Sequence, residues 1–389
     1  MRGARVRTFA VVAALATVFP GAVLTSSATG AEEEGREFLN RTVYPDEYKG
    51  ADWRRGAMFD VVVDGLDNPR QLVWSNQGNL IVAEAGHGNP NNCDPEFGCI
   101  GRTGLISRIT NPESGSGVVR KHMVEDFISF AGEDGSFAVG ADGVDQSRNN
   151  RLFVAMTYAP PDLIPEPLPG RQLGKLMVAE PPRFKKDVFA NVSRYEFQNN
   201  PDNERVESNP YAVLSRPNNQ LVADAAGDSI IKVPRQGQTR LWARLPEQGR
   251  QLDPVPTSIT KGPDGNVYVG GLGSGVPGNG GIFQFDGSGE LQASLYGFGG
   301  ITGITVTPQG NIYVSELFAD QGMGIPGQVT RVNMQTLEKK SWPVPFPAGL
   351  VARGGNLYVS AFSVSSYNGD FGPDSSGQIW RMDLPGGQS

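Results

Sequence analysis

Few side chains in this chain could serve as nucleophiles or soft metal ligands. Its 389 residues hold two histidines, His87 and His122, and two cysteines, Cys93 and Cys99. A Ser-His-Asp arrangement would have to use His87, which lies in the Gly/Asn-rich stretch GHGNPNN (86–92), because His122 falls in a candidate outer strand. No G-x-S-x-G elbow, P-loop or dinucleotide fingerprint stands between a strand and a helix. The oxygen-bearing residues offer more. Asn68, Arg70, Asp142, Asn209, Tyr211, Thr257 and Thr302 each open a short apolar strand, and Glu84, Asp224 and Glu316 each end one. Gathered round an axis, Asp142 and Asn209 would suit a hard cation such as Ca²⁺, which takes six to eight oxygen ligands. Glu84, Asp224 or Glu316 would then add oxygens or act as general base. The same Asp and Asn residues could instead satisfy turn amides, or touch a ligand directly together with Arg70, Tyr211, Thr257 and Thr302.

What would bring them together is a repeat. Six segments begin with a Gly- or Asn-led turn and run into a strand: GNLIVAEA (78–85), NRLFVAMT (150–157), NQLVADAA (219–226), GNVYVGGL (265–272), GNIYVSEL (310–317) and GNLYVSAF (355–362). Each is followed by a second strand, of which DSIIKVP (228–234) and GQIWRMD (377–383) are examples. The anchor valines Val82, Val154, Val222, Val269, Val314 and Val359 are spaced 72, 68, 47, 45 and 45 residues apart. A period near 45 is that of a propeller blade, and the longer two are blades with insertions. A short strand precedes each anchor and a fourth candidate follows each second strand, so the fold expected is all-β: one six-bladed propeller of four-stranded antiparallel blades. The sixth unit ends after its third strand. MFDVVVDGL (58–66) is the strand available to complete it, and closing the ring this way leaves no open sheet edge.

Charge and targeting bound the setting. Arg2, Arg5 and Arg7 precede an apolar run from Phe9 to Leu24 and then small residues, the form of an export signal over residues 1–31. The apolar run is short for a spanning helix, contains Pro20 and has no Cys for a lipid, so no membrane anchor is expected after cleavage. Loss of those arginines moves the net charge from −7 to −10, which disfavours nucleic acid as a partner. Residues 32–55 form a polar N-terminal extension and 56–384 the propeller. A secreted, monomeric protein is expected. In that compartment Cys93 and Cys99 are most simply a disulfide; a zinc site with His87 would have no standard ligand spacing.

In a propeller the loops joining the second and third strands of each blade share one face. Here those loops are long in five blades, from Gly86–Thr103 to Phe362–Ser376, and tight only near Ala226–Gly227. Long loops gathered on one face of a rigid ring mark a binding surface for a small molecule or an extracellular partner.

From Phe59 to about Asp383 the chain resembles the ScyD/ScyE family of exported bacterial proteins. The resemblance rests on GLDNPRQL (65–72), NLIVAEAG (79–86), GRTGLISRI (101–109), YEFQNNPD (195–202), SNPYAVL (208–214), LVADAAGDSIIKV (221–233) and VPTSITKGPDGNVYVG (255–270). It implies an NHL-like or gluconolactonase-like six-bladed propeller and export. Relatives tend to carry Pro-His-Asp where this chain has Ala141-Asp142-Gly143, so no role of that histidine carries over. In calcium-dependent lactonases of six-bladed type, Asn and Asp residues opening inner strands bind the axial metal. Asp142 and Asn209 stand at comparable positions.

Overall fold

The computed structural model describes residues 59–94, 98–159, 164, 168–235, 238–246, 253–275, 278–318, 327–366 and 376–384. The expected signal peptide (1–31) and extension (32–55) lie outside them. Six antiparallel sheets form a ring. Numbered in chain order, the strands are β1 (Phe59–Leu66), then β2 (Pro69–Trp74), β3 (Leu80–Glu84), β4 (Cys93–Asp94), β5 (Gly98–Thr110) and β6 (Val119–Ala131) of blade 1. Blade 2 holds β7 (Ala141–Gln146), β8 (Leu152–Met156), β9 (Lys175–Glu180) and β10 (Lys185–Asn191). A two-turn helix, α1 (Ser193–Asn199), leads to blade 3: β11 (Pro210–Ser215), β12 (Asn219–Asp224), β13 (Ser229–Pro234) and β14 (Arg240–Arg244). Blade 4 has β15 (Pro256–Lys261), β16 (Val267–Gly271), β17 (Gly280–Phe285) and β18 (Leu291–Phe298). Blade 5 has β19 (Ile301–Val306), β20 (Ile312–Glu316), β21 (Gln328–Val332) and β22 (Lys339–Pro343). Blade 6 has β23 (Leu350–Arg353), β24 (Asn356–Ala361) and β25 (Gly377–Asp383). Its fourth strand is β1, with Phe59 opposite Met382, Val61 opposite Trp380 and Leu66 opposite Gly377.

Five of the anchor strands are buried along their whole length, as in β3, and β24 at all but its first residue, because each sheet is covered on both faces by its neighbours. Alternation along the strand therefore sorts side chains between two cores rather than between core and water. Leu80 and Val82 pack with Tyr358 and Ile379 of blade 6, while Ile81 and Ala83 pack with Val144 and Val154 of blade 2. The same sorting recurs round the ring: Val154, Val222, Val269, Val314 and Val359 each join the cluster shared with the preceding blade. The repeated valine is thus one repeated contact, and Val82 makes it across the seam where the chain's two ends meet.

The inner strands are edge strands lining the axis. Three begin with Pro69, Pro210 and Pro256, which lack the amide that an edge has no partner for. Blades approach closely there. A Cβ on Gly349 would stand 2.7 Å from Gln71 Cα across the seam, so a methyl group would push blades 6 and 1 apart.

The Cys93–Cys99 disulfide clips β4 to β5 at the head of the long β5–β6 hairpin. It closes a loop with a sequence separation of 6, and the chain-entropy relation for so short a loop gives about 2–3 kcal/mol. Replacing both cysteines by serine should lower the unfolding free energy by that amount, seen as a lower urea midpoint, with proteolysis first near residues 89–94. An unchanged midpoint would show that the hairpin is held by its strands alone.

Candidate functional site

The residues that open the inner strands do converge. Arg70, Asn209, Tyr211, Thr257 and Thr302 line one small axial cavity of about 20 Å³ together with Ala348 and Ser363. That is room for roughly one water. The axis is closed by two side chains from the PRQ segment of blade 1. Arg70 donates Nη1–H to the Ser363 carbonyl at 2.9 Å and Nη2–H to the Ala138 carbonyl, which ties blade 1 to blades 6 and 2. Gln71 crosses the axis and donates from Nε2 to the carbonyls of Thr257 (2.9 Å) and Thr302 (2.8 Å) in blades 4 and 5.

Asp142 is fully buried with Oδ1 3.6 Å from Arg70 Nε, and Arg70 is itself 3% exposed. Burial pushes the Asp142 carboxyl up to about 6, opposed by the Arg70 charge and by the Gly140 amide. Burial likewise pushes the Tyr211 phenol up to about 12. Asn209 turns its Oδ1 to the Thr157 hydroxyl, 2.9 Å away. The donor set at the axis does not fit calcium. Its one carboxylate, Asp142, already faces a fixed cation, and Asn209 spends its oxygen on a neighbouring loop. Thr257 and Thr302 donate their hydroxyls to the carbonyls of Ile301 (2.5 Å) and Pro347 (2.8 Å), so they bind each blade to the next.

Glu84, Asp224 and Glu316, expected to add oxygens at the mouth, share a different task. Each ends its second strand and accepts an amide from the turn that enters the same blade's inner strand: Asp67 N–H to Glu84 at 2.8 Å, Asn209 N–H to Asp224 at 2.6 Å and Gly299 N–H to Glu316 at 2.6 Å. A carboxylate here closes the blade's mouth in the manner of a cap. Glu84 also takes Arg120 Nη2 at 2.9 and 2.7 Å, and its carboxyl is raised by burial against that attraction. Asp224 is raised by burial to about 6 while accepting the Ser208 hydroxyl at 2.6 Å.

A recess of about 230 Å³ lies on this face at the seam of blades 6 and 1. It is lined by Gly65, Leu66, Asp67, Asn68, His87, Ser365, Ser366, Ser376 and Gly377. His87 Nδ1 lies 3.0 Å from Asp67 Oδ2, and this bond holds the imidazole charged to higher pH than usual, against partial burial. The His87 amide is fixed by Thr103 Oγ1 at 2.9 Å. His87 is therefore oriented. The composition of its loop concealed this, because the partner, Asp67, lies 20 residues earlier. His122 sits on β6 beside Glu125 (2.7 Å), exposed and away from the recess.

No family model matches the chain, and no curated protein matches it by sequence. Solved structures do. A luciferin-regenerating enzyme is 11% identical, with a TM-score of 0.53 over 84% of this chain and 95% of that one. A streptogramin B lyase is 12% identical (TM-score 0.48, 83% and 96% covered). The holo pyranose dehydrogenase PQQ domain from Coprinopsis cinerea is 13% identical (TM-score 0.48, 84% and 95%). At such identities a likeness is one of fold alone, and by its own six sheets, with the fold it shares with the luciferin-regenerating enzyme, the chain is a six-bladed β-propeller.

Proposed function

We propose that this is an exported binding protein of the ScyD/ScyE type that takes a neutral, hydroxyl-rich ligand on its loop-bearing face. The recess at the blade 6–blade 1 seam carries this reading. Among the described residues its lining holds the hydroxyls of Ser365, Ser366 and Ser376 and the Asp67–His87 pair, and no Lys or Arg, while the Asn68 amide already donates to the carbonyls of Gly86 and Gly135. Such a set suits hydrogen-bond exchange with hydroxyls rather than capture of an anion. The axis, closed by Arg70 and Gln71, serves as scaffold. In a panel of neutral saccharides, one or more should raise the melting temperature saturably and slow amide exchange over residues 86–94. His87→Ala should weaken that binding at least ten-fold. A panel without any saturable shift would sink the ligand class, and turnover at an enzymic rate would sink the non-catalytic role.

One observation favours a hydrolase as second reading. Asp67 orients His87 as a carboxylate orients a general base, with serine hydroxyls in the same recess. This version needs no axial calcium. It predicts lactone or ester turnover that falls at least a hundred-fold in His87→Ala and survives chelation.

A further inference from the structure

On the face opposite the long loops, a recess of about 600 Å³ opens where the inner strands β7, β11 and β15 end. That volume suits a ligand of disaccharide size. Phe153 and Phe189 line it with carbon, their rings meeting edge to face at 5.0 Å. Its charged lining is of one sign. Arg148, Arg151, Arg216, Arg235 and Lys261 stand round it, and no Asp or Glu among the described residues does, in a chain whose net charge is −7. Arg151 is answered by Glu180 at 2.5 Å. Asp145, the acid nearest Arg148 in the chain, spends its oxygens on the amides of Gln146 (2.7 Å) and Ser215 (2.5 Å). Arg148, Arg216, Arg235 and Lys261 have no carboxylate partner among the described residues. Gln236 and Gly237, which follow Arg235, bring no charge.

Two polar groups at its wall are buried without partners. Gln220, on β12, is 4% exposed and lines the recess, and its Oε1 accepts no hydrogen bond. Arg216 lies 5.8 Å over the Trp242 ring and donates Nη2–H to the Gly287 carbonyl at 3.2 Å, which leaves a buried Nη1 with no acceptor. Such groups are costly to bury unmet, and most in folded proteins are satisfied. An oxyanion seated in the recess would supply the acceptor that Arg216 lacks. The Gln220 amide can offer an N–H to the same anion or its oxygen to a neighbouring hydroxyl. Guanidinium forks match the oxygens of phosphate and sulfate, and four unanswered cations round one hollow call for more than one such group. The two rings suit a carbon skeleton between them. A bilayer surface is flat and would not reach into the recess.

We propose that this recess binds a sugar-sized organic ester carrying several phosphate or sulfate groups. Arg148, Arg216, Arg235 and Lys261 hold the oxyanions, and Gln220 meets an ester oxygen or a hydroxyl. The site lies on the far face from the recess at the blade 6–blade 1 seam and does not depend on what that recess binds.

The test uses the full chain and calorimetry in about 150 mM NaCl, where charges beyond about 8 Å are largely screened. Sucrose octasulfate serves as the sulfate ester and inositol hexakisphosphate as the phosphate ester. At least one should bind saturably at one site, and the tighter of the two identifies the source of the anion. Inorganic sulfate and phosphate should bind at least ten-fold more weakly, since they leave the rings untouched. Arg148→Gln and Lys261→Gln, both at exposed positions, should each weaken the ester at least ten-fold with an unchanged melt. Lys121→Gln, which removes the same charge from β6 outside the recess, should leave binding unchanged. Gln220→Met should melt at least as high as wild type, because a buried acceptor without a partner is gone, and yet weaken the ester. No saturable binding of either ester would overturn the proposal, as would equal affinity for the free ions or a loss in Lys121→Gln matching that in Arg148→Gln. Binding that appears only once residues 1–55 are removed would also overturn it, by assigning the recess to the chain's own EEEGRE stretch (32–37).

Discussion

Removing the chain through Leu66 is expected to abolish cooperative unfolding, whereas removing residues 1–55 alone is expected to leave it intact. β1 is the fourth strand of the last blade, and it packs on both sides. Phe59 and Val61 join Trp380, Met382 and Leu357, while Val62, Val63 and Leu66 join Ile379, Tyr358 and Leu72 of blade 1. Phe59 and Leu66 are 6% and 3% exposed, and losing two such side chains alone costs on the order of 3–6 kcal/mol. The backbone partners of β25 would be lost as well, and the bared edge would template association with another copy. Against a total stability of about 5–15 kcal/mol, that is enough to unfold the ring or drive it to aggregate. Circular dichroism melts and size exclusion of the two truncations would show it. A monomer that still melts cooperatively without β1 would mean that blade 6 stands on three strands. Leu66→Ala gives a milder version, with an expected loss of about 2–5 kcal/mol for a side chain packed into the seam.

The closure by β1 was legible because the sixth repeat is visibly one strand short and MFDVVVDGL has nowhere else to go. The anchor valines were legible for the same reason: a contact made six times leaves a period in the chain. Helix α1 left no such mark. Its YEFQNNPD segment occurs once, is seven residues long as a helix, and ends at Asn200 in a left-handed turn. The buried Glu196 went unmarked with it, because its place against Gly227 is set by how an insertion lies against a neighbouring blade. The axial residues were partly legible. Their convergence follows from strand position, but the partner of each does not. That Arg70 faces Asp142 depends on where the guanidinium of blade 1 ends after crossing towards blade 2. That Glu316 accepts an amide, with Thr330 and Gln328 on its other oxygen, is a matter of local geometry that an acid at a strand end cannot announce.

The Arg70–Asp142 pair gives the second large effect. Arg70→Ala should destabilise the fold by about 3–5 kcal/mol near neutral pH, the usual cost of leaving one partner of a buried ion pair without the other. Three losses add up: the charge opposite Asp142, and the donors to the carbonyls of Ser363 and Ala138 that tie blades 6 and 2 to blade 1. The pH dependence separates the first from the other two. In the native protein the Asp142 carboxyl is raised to about 6 by burial, from an ordinary 3.8. The folded state therefore holds a proton that the unfolded chain releases between about pH 4 and 6, and this group's contribution to stability falls as pH rises through that window. Without Arg70 the folded carboxyl rises further and the window extends above pH 6. The cost of Arg70→Ala should thus be larger at pH 8 than at pH 5, while other buried carboxyls, present in both proteins, cancel in the difference. Asp142→Asn added to Arg70→Ala should recover part of the loss at pH 8 and remove the extra pH dependence, with a coupling of about 0.5–3 kcal/mol in the double-mutant cycle. Urea unfolding of the four proteins at the two pH values measures all of this. If Arg70→Ala costs under about 1 kcal/mol, equally at both pH values, the Arg70 side chain is a spectator, and the ring is held at its centre by Gln71, the Thr257 and Thr302 hydroxyls and the close Gly349 contact.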